Sequence, residues 1–230
     1  MNDLKSLNTL FESKLFRIPD YQRGYSWNEQ QLEDFWNDLY NLRSEKVHYT
    51  GMISLKKLNK EETKDWYNEE WLLEDGFSAY HIVDGQQRLT TIIILINEIV
   101  NYYRNISKDS KGQQMPDDSI YIRKTKLSDI VEKYLYKVDT SSPIKTKTYK
   151  FGYEVDNPSY EFFKHKILGE KLSGKLEETF YTLNLEYAKD FFYKKLKEEK
   201  ESTVEELYKK ITQYMQFNIY YIDDDFSVFM

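Results

Sequence analysis

Apolar residues recur at helical spacing through most of this chain, and short extended runs separate the helical stretches. Leu32, Phe35, Trp36, Leu39 and Leu42 fall on one helix face, which predicts a core-facing helix ending near Arg43. Asn28 followed three residues later by Gln31 is a capping-box pattern at its start. Tyr49–Lys56 alternates and predicts a strand. Residues 59–79 are polar and carry Trp66 and Trp71; this is long for a hairpin loop, so a lid or an insertion is expected there. Ile82 and Val83 are β-branched and extended in preference, Asp84-Gly85 is a turn dipeptide, and a helix is predicted from Gln86 to about Arg104. Residues 105–119, rich in Asn, Ser, Asp, Gly and Pro, read as a flexible linker. Helices are predicted beyond it near 126–137, 158–168, 175–199 and 203–214. In the third, Leu176, Phe180, Leu183, Tyr187 and Phe191 form a stripe expected to face the core. Phe217–Ile222 is expected to return as a strand to the sheet of the first half. The expectation is an α+β chain: a domain over 1–104 with a small mixed sheet and helices, a linker over 105–119, and a mainly helical lobe over 120–230.

The turn at Asp84-Gly85 is where chemistry concentrates. Gly85 is free to take φ > 0, and the helix that follows presents unpaired N–H groups and a positive dipole end. Anions, phosphate above all, are stabilised at such places. Gln86, Gln87 and Arg88 crowd one turn just before the chain's most apolar run, Ile92–Ile96. Arg88 offers a planar fork of donors that suits phosphate, and Asp84 a carboxylate able to hold a divalent cation. The plain alternative is that Asp84 is an N-cap and Asp-Gly an ordinary turn. A second polar cluster lies upstream in Ile18-Pro19-Asp20-Tyr21-Gln22-Arg23-Gly24-Tyr25-Ser26-Trp27. Aromatics interleaved with Arg can sandwich a base or ribose; the alternative is core packing with Arg23 in a surface ion pair.

Composition narrows the options. The 230 residues contain no cysteine, so disulfides, thiolate catalysis and Cys-ligated zinc are excluded, and a reducing cytoplasm is expected. The longest aliphatic run is far too short to span a bilayer, so no membrane partner is expected. A net charge of −6 argues against broad attraction to DNA. One local excess stands out between Tyr121 and Lys150, where Lys145, Lys147 and Lys150 form a candidate DNA contact; the alternative is a solvated face. His48, His81 and His165 show no metal-ligand spacing, and phosphate-loop, dinucleotide and zinc-protease motifs are absent.

The ordered set IPDYQRGYSW, YTGMISL and HIVDGQQRLTT resembles the N-terminal domain of the GmrSD restriction endonuclease family, which carries a DGQQR motif and a ParB/sulfiredoxin-like fold. The resemblance spans about residues 5–104 closely and the remainder loosely. It implies an anti-phage, modification-dependent restriction system whose N-terminal domain binds and hydrolyses a nucleoside triphosphate and controls DNA cleavage. Tyr21, Gln22, Arg23, Asp84, Gly85, Gln86, Gln87 and Arg88 match the family's functional positions. On this reading the phosphates sit on the backbone at Gly85–Gln87, with Tyr21, Arg23, Gln86 and Arg88 completing the binding site. Asp84 holds Mg²⁺ or orients the attacking water. Gln22 or Gln87 positions that water, and Tyr21, Tyr25 or Trp27 stacks on the base. Two alternatives stand beside it: a non-catalytic sensor of nucleotide or modified DNA, and a metal-dependent phosphodiesterase. Asp223–Met230 resembles the start of a further family motif, so a fragment truncated at its C-terminal end is expected. A His-Asn-His nuclease domain, frequent in the family, has no counterpart here and is expected as a partner. Homo-oligomerisation is left open.

Overall fold

A computed structural model describes residues 4–43, 46–141, 145–171 and 175–222. The family-motif start expected over Asp223–Met230 lies outside these residues. The chain opens with β1 (Leu4–Ser6), a helical turn α1 (Leu7–Leu10) and β2 (Lys14–Ile18). Then come α2 (Glu29–Asn41), β3 (His48–Lys57), α3 (Glu70–Glu74), β4 (Ser78–Asp84) and the long α4 (Gln86–Ile106). Beyond residue 120 lie β5 (Tyr121–Ile122), β6 (Thr125–Lys126), α5 (Leu127–Ile130), β7 (Tyr136–Val138), β8 (Lys147–Tyr149) and β9 (Phe151–Tyr153). The chain continues through α6 (Tyr160–Phe162), α7 (Phe180–Lys197), α8 (Glu201–Lys209) and β10 (Met215–Ile222). α5, α6 and α8 each run on into a π-helical turn. The class is α+β, as the pattern predicts.

Six strands form one mixed sheet in the order β1-β10-β3-β4-β2-β9. β4, β2 and β9 are mutually parallel, whereas β3 runs antiparallel to β4, with Ser54 opposite Asp84. The strand predicted at Phe217–Ile222 does return, parallel to β3. Segments on either side of residues 105–119 therefore feed the same sheet, and the main apolar core runs from Leu7 to Ile219. The stretch predicted as a linker is tied down. Lys108 bridges Gln114, and Arg104 donates to both carboxylate oxygens of Asp117 at 3.0 and 2.6 Å.

α4 is apolar nearly all round because it is buried nearly all round: Leu89 and Ile92–Ile96 are inaccessible to solvent. At α2 the capping box forms, with Asn28 Oδ1 accepting from the Gln30 amide and Gln31 Oε1 from the Asn28 amide.

Three expectations change. First, the stripe predicted as core is split: Phe191 is buried and Leu176 packs against the core, whereas Phe180, Leu183 and Tyr187 are 67, 49 and 41% exposed. Leu185, Ala188, Phe192 and Leu196 are buried instead. Both stripes have helical spacing, and contact with α4 selects the neighbouring one. Second, residues 59–79 are not a lid over the Asp84 turn. They join β3 to β4 at the far end of β4, and Leu58, Trp66 and Leu72 form a small core with Leu15 and Ala79. The buried Arg17 fastens them through Glu69 at 2.6 Å. Third, the part beyond residue 120 contains short strands as well as helices. Aromatic and β-branched pairs such as Tyr136 opposite Tyr149 suit a hairpin.

Candidate functional site

β4 ends at Asp84, Gly85 turns the chain with φ of +88°, and α4 begins at Gln86. A side chain at Gly85 would be strained and crowded: an added Cβ would lie 3.1 Å from the Met52 carbonyl oxygen. Gly85 also caps α4 with no side-chain bond, so the first helical amides keep their donor capacity.

The second cluster, which continues β2, is drawn onto this turn by side-chain amides. Gln22 Nε2 donates to the Val83 carbonyl at 3.0 Å, and Gln86 Nε2 donates to the Arg23 carbonyl at 3.2 Å. Gln87 is used at both ends: Nε2 donates to the Gly24 carbonyl at 3.1 Å, and Oε1 accepts from the Ser26 amide at 2.8 Å. Asn157 Nδ2 holds the Pro19 carbonyl, and the Tyr25 hydroxyl meets Thr91 at 2.6 Å. Gly24 admits α7, since a Cβ there would lie 2.5 Å from Tyr181 Cβ.

Together these segments enclose an open cleft of about 380 Å³ at the C-terminal end of β4. Gln22, Arg23, Asp84, Gln86, Gln87 and Arg88 line it, with Gly85 at its base. Seven of the eight predicted site residues thus meet in one place. Tyr21 is exposed and lies outside the lining. Tyr25 is fully buried against α4, so it has no face to offer a base.

Arg88 is the electrostatic centre. Its guanidinium is half-buried and makes no hydrogen bond or ion pair with a described residue. Burial holds its pKa below the ordinary arginine value, and the nearby Asp84 and Tyr49 partly offset this. Such a cation gains from an incoming anion. Asp84 is exposed at the rim. Gln86 is 7% exposed, and its Oε1 has no partner among the described residues. Among those residues no group of three or more His, Cys, Asp or Glu side chains could hold a metal ion. Asp84 is the one carboxylate among the residues that line the cleft, so a divalent cation held there would need further oxygen ligands from outside the protein.

Gly51 and Met52 escaped the reading of the sequence as site residues. Gly51, with φ of +120°, leaves the space in which the Arg88 guanidinium lies, and Met52 lines the cleft. A glycine inside an alternating strand was the available signal, since it marks close approach by another group.

The candidate DNA lysines are dispersed. Lys145 is exposed, but Lys147 lies 3.8 Å from the Tyr136 ring centroid and 4.9 Å from that of Tyr149. Lys150 is 2% exposed, packs on Phe77 at 4.0 Å, and burial pushes its pKa down to about 7. Among the described residues, no helix is long and apolar enough to cross a membrane.

The family model described as GmrSD restriction endonuclease, N-terminal domain, matches residues 7–229. No curated protein matches the sequence. The chain belongs to the GmrSD N-terminal domain family, which associates it with a restriction endonuclease system.

Proposed function

We propose that this member of the GmrSD N-terminal domain family binds a nucleoside triphosphate in the cleft at the end of β4, hydrolyses it, and so controls DNA cleavage by a partner nuclease. The observation that carries this reading is Arg88, a half-buried guanidinium with no hydrogen-bonding partner among the described residues, beside a helix start that has no side-chain cap. Terminal phosphates rest on the first amides of α4. Arg88, joined by the exposed Arg23, neutralises them and stabilises the charge that grows on the transferred phosphoryl group. Asp84 would hold Mg²⁺, or orient the attacking water. The ion, when bound, supplies further neutralisation of the phosphates. Gln22 and Gln87 fix the walls of the site through backbone carbonyls and an amide. DNA, modified phage DNA on the family resemblance, is the target of the nuclease, which is of the His-Asn-His type on the same resemblance.

A second reading is a nucleotide sensor without turnover. The Gln87 amide favours it, because Nε2 and Oε1 are each tied to the backbone of Gly24–Ser26, which fixes the side chain in the wall of the cleft and leaves only one N–H and one lone pair uncommitted. Phosphate release from ATP and GTP with Mg²⁺, with and without DNA, decides between the two. Hydrolysis that disappears in a folded Arg88→Ala variant is the expected result. Unchanged turnover in that variant overturns it, and Arg88-dependent binding without release leaves the sensor.

A further inference from the structure

The cleft has an apolar side that the chemistry above does not use. Trp27, Met52 and Val83 line it alongside Arg88. Trp27 and Met52 reach the cleft from different segments of the chain. β4 lies between β3 and β2; Met52 comes from β3, and Trp27 from the segment that continues β2. Both side chains line the cleft that has Gly85 at its base. Trp27 is half-buried and braced from behind by Phe35, with ring centroids 6.0 Å apart. Met52 is 44% exposed, while its neighbour Ile53 is fully buried. An indole and a flexible, polarisable thioether offer two surfaces to a flat ring. The polar residues from Asp84 to Arg88 line the same cleft.

We infer that the nucleotide's base lodges between Trp27 and Met52 while its phosphates reach Arg88 and the start of α4. This rests on the nucleotide reading above and assigns the stacking face to Trp27, with Met52 opposite. Stacking of this kind tolerates different bases, because every base has a π-face. Purines, with two fused rings, bind more tightly here than pyrimidines.

The test compares ATP with inorganic tripolyphosphate by calorimetry in the wild type, Trp27→Leu and Met52→Ser. ATP is expected to bind at least about tenfold more tightly than tripolyphosphate in the wild type. That gap narrows to under about threefold in each variant, while tripolyphosphate affinity is unchanged. ATP, but not tripolyphosphate, quenches part of the tryptophan fluorescence, and the quench is lost in Trp27→Leu. Met52 is exposed, so Met52→Ser tests the proposal even if Trp27→Leu fails to fold. Equal affinity for the two ligands in the wild type overturns the base subsite and leaves the phosphate site standing. Absence of binding by both overturns the nucleotide reading itself, and this inference with it.

Discussion

The Arg88 guanidinium lies directly against the backbone of Gly51: a methyl group at residue 51 would sit 2.7 Å from Nη1 and 3.0 Å from Cζ. Strand β3 thus gives up a side chain to seat a charge delivered by α4. Gly51→Ala should both strain the backbone, where φ is +120°, and push the guanidinium out of place. The expected result is a loss of stability of about 1–3 kcal/mol together with at least a tenfold loss of nucleotide affinity. Thermal melting and calorimetry on the same preparation check the two effects.

Gly85→Ala tests the turn rather than the charge. The residue sits at φ +88°, and its Cβ would approach the Met52 carbonyl. A cost of about 1–2 kcal/mol is expected, read as a lower denaturation midpoint in urea with an unchanged slope.

Gln87 holds the Gly24–Ser26 segment through one donated and one accepted bond. Gln87→Ala leaves the Gly24 carbonyl and the Ser26 amide without these partners, at a cost of about 1–3 kcal/mol. Gln87→Glu can still accept from Ser26, but when ionised it sets a carboxylate oxygen against the Gly24 carbonyl; it should be the milder change only when protonated, when it can also donate. Hydrogen exchange at the Ser26 amide is the direct measure; equal protection in wild type and Gln87→Ala would refute the clamp.

Lys150 gives a pH signature. Its folded pKa is depressed to about 7 by burial and by the neighbouring cations Lys137, Lys14, Arg17 and Lys133. Between about 7 and the ordinary value of 10.5, the unfolded chain binds the extra proton. Stability from this group therefore rises with pH across that window, by about 1.4 kcal/mol per unit, and is lowest below it. Lys150→Met keeps the packing on Phe77 and removes the titration. Relative to wild type, the variant should gain most at pH 6 and least at pH 10. A difference that stays flat with pH would contradict this account.

Local signals were enough to read several features from the sequence. The capping box at Asn28, the strand at Tyr49–Lys56, the turn at Asp84-Gly85 and the α4 helix each depend on neighbours a few residues away. The cluster from Asp84 to Arg88 was visible for the same reason, since residue types and spacing reveal a turn with polar groups on it.

Other features depended on partners distant in sequence. Helical spacing along α7 was satisfied equally by Phe180, Leu183 and Tyr187 and by Leu185, Ala188 and Phe192; only burial against α4 selected the second set. Lys150 looked like a surface charge, and its place against Phe77 came from β9 entering the sheet beside β2. Gly51 was read only as part of an alternating strand; the Arg88 guanidinium fills the space above it. By itself, the sequence determined the α+β class, the main helices and strands and the polar turn. Tertiary structure decided which helix face is buried, which lysine loses its water, and that residues 22, 52 and 88 share one cleft. Periodicity specifies that a residue lies on a face or in a turn, whereas burial and charge environment are set by whatever long-range packing brings against it.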